Sequence, residues 1–177
     1  MDISCDAAFF GHSLISQSDF RENFTNAKIV NLGYGGDGVK KMIRRVQQVG
    51  DVHPRMVFFM CGTNDLKVSD SDFEIAYSNL IDSIITTVPD AQIIVHDILP
   101  MTEAKLKRLG VDKKQILQRN EVIRQISRNR GLDFVELHGL YIDENGYMKP
   151  ELTSDGVHLK PDTGYLPWAD AIAKYFE

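Results

Sequence analysis

Short apolar runs alternate along the chain with longer segments in which apolar residues recur at helical spacing. Each apolar run ends near a glycine, a proline or another turn residue, which is typical of strands buried on both faces. Five runs predict strands, at Ala7–Phe10, Ile29–Leu32, Met56–Met60, Ile93–Leu99 and Phe134–Leu137. Because strands that alternate with helices build parallel sheets covered by helices, the pattern predicts an α/β fold, in a single domain over residues 1–177.

The segments of helical period lie between these strands and after the last one. They predict helices at Val39–Val49, Asp72–Thr87, Lys114–Arg130 and Pro161–Tyr175. Gly131 follows the third of them at the position where glycine commonly ends a helix. The polar and basic stretch Met101–Lys113 has weak periodicity, so it predicts a loop or a short helix over the sheet.

Composition and charge narrow the set of partners. The chain is 43% hydrophobic and 25% charged, as in ordinary soluble globular proteins. Its net charge of −5 would repel a phosphate backbone, so nucleic acid is not an expected partner. A dense basic cluster lies in the first predicted helix, and we interpret it as a solvated helix face. The cluster consists of Lys40, Lys41, Arg44 and Arg45.

The cysteines and the hydropathy of the chain are relevant to where the protein is located and to whether it contacts a membrane. Cys5 and Cys61 each lie in an apolar run, which predicts two buried free thiols rather than a disulfide framework. No run approaches the ~20 apolar residues of a membrane span, so no integral membrane contact is expected. The first residues show no basic region followed by a long apolar one. Localisation stays open between cytoplasm and export without a signal peptide, and a homodimer is compatible with the sequence.

Four polar segments fall at one expected edge of the sheet. The first three follow strands one, two and three, and the fourth precedes the last helix. They are Gly11-His12-Ser13-Leu14, Gly33-Tyr34-Gly35-Gly36-Asp37, Gly62-Thr63-Asn64-Asp65 and Asp155-Gly156-Val157-His158. Ligands of open parallel sheets bind outside the carboxyl ends of the strands, so the segments together indicate a binding or catalytic site.

These segments contain the groups that acyl transfer from an ester requires. Ser13 is the candidate nucleophile, and His158 is the candidate base because Asp155, three residues earlier, can orient its ring. The backbone amides of Ser13 and Gly36 and the side-chain amide of Asn64 are candidate donors to an oxyanion. Each piece taken alone has a structural alternative, such as a helix N-cap for Ser13 or a turn pair for Asn64.

In this arrangement the residues resemble the conserved blocks of the SGNH (GDSL-like) hydrolase family, in order, from Phe9 to Trp168. The most specific piece is the segment 152–159 followed by Gly164 and Tyr165, which is similar to the acetylesterase branch, including enzymes like platelet-activating-factor acetylhydrolase and sialate O-acetylesterase. The resemblance implies a three-layer α/β/α sandwich, flavodoxin-like, with a five-stranded parallel sheet. It also implies a Ser-His-Asp mechanism without metal or cofactor, with Ser13, Gly36 and Asn64 forming the oxyanion hole.

The chain departs from the family at His12, where aspartate usually precedes the nucleophile. Histidine can be neutral or cationic near pH 7, so we expect His12 to lie beside the site in a supporting role. Three other residues are candidates for support of the site or for contact with substrate: Tyr34, Asp65 and His96. A packed or solvated histidine is the alternative for His96, and Trp168 is expected to anchor the last helix.

The sequence therefore predicts a serine esterase for short, chiefly acetyl, esters of carbohydrates or small molecules. A long-chain lipase would need an apolar groove or lid, whereas the segment 101–111 is rich in lysine and arginine. Lysophospholipid and thioester substrates stay open. The competing hypothesis is a binding module that has lost turnover through the change at residue 12. A flavodoxin-like nucleotide-binding or receiver protein would need phosphate-binding or clustered acidic groups at the strand ends. This sequence does not show them there.

Overall fold

Five parallel strands form the centre of the fold in the computed structural model, which describes residues 4–177. The strands are β1 (Cys5–Gly11), β2 (Ile29–Gly33), β3 (Pro54–Met60), β4 (Gln92–His96) and β5 (Asp133–Val135). Their order in the sheet is β2-β1-β3-β4-β5, so β1 pairs with both β2 and β3. Residues 1–3, on which the sequence-based expectation about a leader segment falls, lie outside the described part of the chain.

All five strands lie where the apolar runs predict them, although their ends differ. The fourth strand was expected to reach Leu99 but stops at His96. The reason is that Asp97 turns its carboxylate to the backbone N–H groups of Leu137 and His138, at 2.7 and 3.0 Å. The Asp97 side chain therefore connects the end of β4 to the segment after β5, and the β-ladder does not extend beyond His96.

In the described part of the chain, residues 4–177, eight α-helices cover the sheet. They are α1 (Ser13–Ser16), α2 (Phe20–Asn23), α3 (Val39–Ile43), α4 (Gln47–Asp51), α5 (Asp70–Thr87), α6 (Glu103–Leu109), α7 (Lys113–Asn129) and α8 (Leu166–Ile172). The helices α5 and α7 agree with the predicted segments to within two residues, and α6 is the short helix expected over the sheet. The short helices α1 and α2 were not predicted, because four residues are too few to show a helical period.

Two predicted helices were wrong in extent. The helix expected over Val39–Val49 is broken into α3 and α4, because residues 44–46 donate their backbone N–H groups three residues back rather than four. The helix expected from Pro161 begins only at Leu166. There the chain passes so close to the segment 152–160 that a Cβ on Gly164 would lie 2.6 Å from the carbonyl oxygen of Leu152.

Alternate residues of the central strands face opposite layers of helices. Phe9 of β1 stacks on Phe58 of β3 in one layer, with ring centroids 4.6 Å apart, while Phe10 and Phe59 face the other layer. Both faces of the sheet are therefore buried, as expected for a parallel sheet between two helical layers. The prediction of a three-layer α/β/α sandwich with five parallel strands is confirmed.

Cys5 and Cys61 are both buried free thiols in this fold. Burial raises the pKa of each thiol, and the effect is largest at Cys61. Such a thiol is protonated at neutral pH and has low reactivity. Among the helices of residues 4–177, none combines the length and apolar character needed to cross a bilayer.

Candidate active site

Ser13 opens the first helix at the carboxyl end of β1. The preceding Gly11 packs tightly, since a Cβ there would lie 2.7 Å from the carbonyl oxygen of Met60. His12 is the N-cap of α1 and has an extended backbone, so the chain turns sharply between strand and helix. This turn leaves Ser13 partly exposed at the edge of the sheet, with its hydroxyl directed away from the core.

The turn 155–158 brings an acid and a base to the same edge. The ring of His158 lies with Nε2 2.9 Å from Ser13 Oγ and Nδ1 2.9 Å from Asp155 Oδ2. Gly156 takes a positive φ of 91°, which L side chains rarely adopt, and this conformation closes the turn. A continuous hydrogen-bonded path therefore runs from the hydroxyl through the imidazole to the carboxylate.

Asp155 is held in its ionised form by the same turn. Burial by itself would raise the pKa of this carboxyl, but hydrogen bonds from the backbone N–H and ring of His158 and from the N–H of Val157 outweigh it. The pKa of Asp155 consequently lies well below its usual value. The carboxylate can orient the imidazole and stabilise its protonated form throughout the neutral pH range.

Two further loops reach this edge with amide donors. Gly36 is exposed with a positive φ of 73°, and a Cβ there would meet nothing within 4 Å. Among residues 4–177, no hydrogen bond uses the backbone N–H of Ser13 or of Gly36. Asn64 is exposed and donates one amide hydrogen to the carbonyl oxygen of Asp37 at 2.8 Å, which leaves its second hydrogen for a ligand.

His12 lies behind Ser13 and is completely buried. Its Nδ1 accepts the backbone N–H of Leu14 at 3.4 Å, and its Nε2 has no partner among residues 4–177. Burial, followed by the nearby His158, lowers the pKa of His12 to about 4. This histidine is therefore neutral at pH 7 and not exposed to a substrate, which is compatible both with the expected supporting role and with a tolerated substitution that has no functional effect.

Asp65 and His96 are also buried rather than open to a ligand. Both carboxylate oxygens of Asp65 accept the backbone N–H of Val39 at 3.2 Å, so this side chain caps α3 and supports the loop that carries Gly36. His96 donates from Nδ1 to the carbonyl of Phe59 and accepts at Nε2 from the indole of Trp168. The expectation that His96 contacts substrate was wrong, because both ring nitrogens are occupied and the residue is fully buried. The alternative expected for His96, a histidine packed in the core, is what the structure has.

Tyr34 exposes half of its surface beside the same edge. Its ring rests on the guanidinium of Arg45, 4.6 Å from ring centroid to carbon. The interpretation of Arg45 as part of a solvated helix face was wrong, since its side chain is 13% exposed and binds Asp37 at 2.6 Å. Sequence reasoning missed this residue because its partners lie in three separate segments.

A cleft of about 430 Å³ opens beside Ser13 and His158. Apolar side chains form much of its wall, and two lysines also line it. The apolar residues are Leu66, Met101, Leu109, Val111 and Val157, and the lysines are Lys67 and Lys105. The segment 101–111 was expected to be too basic to form an apolar wall. In the structure it turns apolar residues toward the cleft, whereas Lys107 pairs with Glu103 on the exposed side of α6.

Lys105 links this cleft to the acid of the site. Its ammonium lies 3.8 Å from Asp155 Oδ2, and its side chain is mostly shielded from solvent. The backbone N–H of Thr102, at the start of α6, donates to the carbonyl oxygen of Gly156 at 3.0 Å. The short helix α6 is therefore fixed against the turn that carries Asp155 and His158. Within residues 4–177, no group of three or more His, Cys, Asp or Glu side chains is arranged to hold a metal.

Two known proteins are similar to the chain in sequence. A relative from Acetivibrio thermocellus named "Putative endoglucanase X" is 31% identical over 123 residues, covering 70% of this chain and 50% of that protein. The chain thus spans half the length of this relative. The platelet-activating factor acetylhydrolase IB subunit alpha2 of Rattus norvegicus is 22% identical over 162 residues, covering 87% of this chain and 69% of the rat protein.

Solved structures resemble the fold of this chain closely, although their sequence identity to it is low. A solved acetyl xylan esterase from Geobacillus stearothermophilus superposes with a TM-score of 0.77 at 17% identity, covering 99% of this chain and 96% of the other. The model of the GDSL-like lipase/acylhydrolase family matches residues 10–165, which include all four site loops. The chain therefore belongs to the GDSL-like lipase/acylhydrolase family of carboxylic ester hydrolases.

Proposed function

We propose that this protein is a serine esterase in which Ser13 attacks the carbonyl carbon of a short acyl ester. The observation that carries the proposal is the contact of His158 with both partners, 2.9 Å to Ser13 Oγ and 2.9 Å to Asp155 Oδ2. With its Nδ1–H donated to Asp155, the imidazole presents Nε2 as an acceptor for the serine proton.

The reaction proceeds in two halves. The hydroxyl oxygen of Ser13 bonds to the carbonyl carbon while its proton moves to His158 Nε2, and the carbonyl oxygen becomes an oxyanion. The N–H groups of Ser13 and Gly36 and the second amide hydrogen of Asn64 stabilise that charge. Collapse of this intermediate expels the alcohol, which takes the proton from Nε2. Water then attacks the acyl-serine with His158 as base, releasing the carboxylic acid and restoring Ser13.

Acetyl esters of carbohydrates or other small molecules are the proposed substrates. Support comes from the family membership and from the fold shared with an enzyme named as an acetyl xylan esterase. Tyr34, exposed on the glycine-rich loop that carries Gly36, is a further candidate for contact with the alcohol portion.

A longer acyl chain is the second candidate, and a specific observation favours it. The cleft beside Ser13 has a largely apolar wall and about 430 Å³ of space, more than an acetyl group fills. A lysophospholipid would also find the exposed Lys67 available to its anionic headgroup, and the apolar wall would suit the acyl chain of a thioester. Hydrolysis of p-nitrophenyl esters from acetate to octanoate, together with a panel of acetylated sugars, separates the two. Preference for octanoate would overturn the acetyl assignment.

Turnover of p-nitrophenyl acetate and labelling by a fluorophosphonate test the mechanism. We expect stoichiometric labelling at Ser13, and a loss of up to ~10⁶-fold in kcat for Ser13→Ala or His158→Ala, with a smaller loss for Asp155→Ala. Full activity of Ser13→Ala would end the covalent scheme. A folded wild-type protein with an unreactive Ser13 would indicate a binding module instead.

A further inference from the structure

Arg45 makes a set of contacts that the proposed reaction does not yet use. Its guanidinium is mostly buried, and every nitrogen has an acceptor close by. Nε lies 2.6 Å from the carboxylate of Asp37, Nη1 donates to the carbonyl oxygen of Leu32 at 2.8 Å, and Nη2 donates to that of Gly11 at 2.8 Å. One side chain thus joins the ends of β1 and β2 to the loop that follows β2.

Two of these three attachment points lie close in the chain to the candidate oxyanion donors. Gly11 is two residues before Ser13, and Asp37 directly follows Gly36. The carbonyl oxygen of Asp37 accepts the side-chain amide of Asn64 at 2.8 Å. A displacement of Asp37 would therefore move the amides of Gly36 and Asn64 together.

Two aromatic rings fix the plane of the guanidinium. The carbon at its centre lies 4.6 Å from the centroid of the Phe10 ring and 4.6 Å from that of the Tyr34 ring. Phe10 is fully buried in the core, so it gives the guanidinium a rigid base. A lysine could keep the charge at this place, but it has neither the planar face nor the several donors that these partners use.

We propose that Arg45 is the positioning residue of the oxyanion hole. It touches neither the substrate nor the reacting atoms; it holds the loops that bear Ser13, Gly36 and Asn64 at their mutual spacing. Oxyanion donors act only where their hydrogens meet the charge that develops in the transition state, and displacements of about 0.5 Å are enough to weaken them. The inference rests on the proposed esterase mechanism.

The variant Arg45→Lys tests the role through the separation of kcat from KM. Loss of one oxyanion donor costs ~100-fold or more, so a shift of two donors should lower kcat at least about tenfold. We expect KM for p-nitrophenyl acetate to change less than about threefold, because ground-state binding does not use these donors. Arg44→Lys is the matched control, since Arg44 is the exposed neighbour on the same turn and should retain full kcat.

A double-mutant cycle distinguishes positioning from general structural support. If Arg45 acts through Asn64, the loss in kcat for Arg45→Lys combined with Asn64→Ala should be clearly smaller than the product of the single losses. Multiplicative losses, or a fall in kcat that only follows the unfolded fraction measured by urea titration, would overturn the proposal. If Arg45→Lys does not fold, Asp37→Asn serves in its place. It weakens the same contact without changing Arg45, and we expect it to lower kcat by a similar factor.

The controls separate this inference from the function on which it rests. An active wild-type enzyme whose Arg45→Lys and Asp37→Asn variants keep full kcat would remove the role of Arg45 and leave the serine mechanism intact. A folded wild-type protein without turnover or fluorophosphonate labelling would overturn both proposals.

Discussion

His12 is a neutral, buried side chain directly before Ser13, the proposed nucleophile. Its lowered pKa, to about 4, follows from burial and then from the nearby imidazole of His158. Its only hydrogen bond among residues 4–177 is the one that Nδ1 accepts from Leu14. An aspartate could accept the same N–H, but as a carboxylate it would add a negative charge close to His158.

For this reason the variant His12→Asp should keep ester hydrolysis within about tenfold of wild type while changing its pH dependence. A nearby negative charge stabilises the protonated imidazole, so the acid limb of kcat/KM should move to higher pH by roughly half to one unit. His12→Asn, a neutral acceptor at the same place, is the control and should leave the limb unmoved. An unchanged rate and pH profile in the aspartate variant would remove any functional role for residue 12.

The Ser13–His158 pair and Arg45 together mark the limit of what could be predicted from the sequence at this scale. The pairing of Ser13 with His158 was predictable, because strand ends of a parallel sheet converge and a local aspartate identifies the base. The role of Arg45 was not, because its acceptors are backbone carbonyls and a carboxylate that the sequence pattern does not single out. A basic cluster on a helix looks the same in sequence whether a side chain points to solvent or back beneath a loop.

At the scale of elements, the turn 155–158 and helix α6 form one unit. A Cβ on Gly156 would lie 2.4 Å from Thr102 Oγ1 and 3.0 Å from Lys105 Cβ. The same residue has a positive φ of 91°, so both its backbone and its surroundings favour glycine. Packing of α6 against this turn therefore sets the distance of Asp155 and His158 from Ser13.

The variant Gly156→Ala should consequently lose both stability and activity. An L side chain at positive φ costs about 1–2 kcal/mol, and the collision with α6 adds to this. We expect a lower free energy of unfolding in urea and a fall of tenfold or more in kcat, as the imidazole moves away from Ser13. Gly139→Ala is the control, because a Cβ there meets nothing within 4 Å and φ is not positive. Wild-type kinetics in Gly156→Ala would contradict the coupling between turn and helix.

The break between α3 and α4 shows why element boundaries were harder to predict than elements. Apolar residues keep a helical period through this region, so the sequence predicts one helix. At this tighter turn, residues 44–46, the side chain of Arg45 attaches to the ends of β1 and β2, which is a tertiary interaction. Local periodicity carries no information about it.

At the scale of the whole molecule, three buried ionisable groups link stability to pH. Burial lowers the pKa of His12 to about 4 and that of His96 to about 3, from 6.5. Burial also raises the pKa of Asp97 from 3.8 to about 6, partly offset by the N–H groups of Leu137 and His138. Between pH 4 and 6 the unfolded chain therefore binds two protons on the histidines, while the folded protein binds one on Asp97.

As the pH is lowered from 6 to 4, these three groups should accordingly contribute a fall in the free energy of unfolding of about 1.4 kcal/mol per pH unit. Urea titrations across this range measure the slope. In His12→Asn the proton that the unfolded chain binds at residue 12 disappears, so the slope should be smaller than that of the wild type by about 1.4 kcal/mol per pH unit. A wild-type slope of opposite sign would contradict the neutral, buried state of the two histidines.

The fold as a whole was predictable because each strand is a compact apolar run bounded by turn residues, and the helices between them enforce parallel pairing. The end of β4 and the start of α8 were not, since Asp97 acts through Leu137, 40 residues on, and Gly164 packs against the preceding segment 152–160.

The contact between Ser13 and His158 spans 145 residues of sequence. During synthesis, a chain that has emerged only as far as residue 150 already contains the nucleophile and every amide donor, yet it has no base with which to activate the hydroxyl. If Ser13 and His158 react as proposed, nascent protein gains esterase activity only after the segment 155–158 has left the ribosome and docked against the first helix. The appearance of esterase activity would thus report the completion of folding, and a fragment ending before residue 155 could regain activity only by recruiting the missing segment in trans.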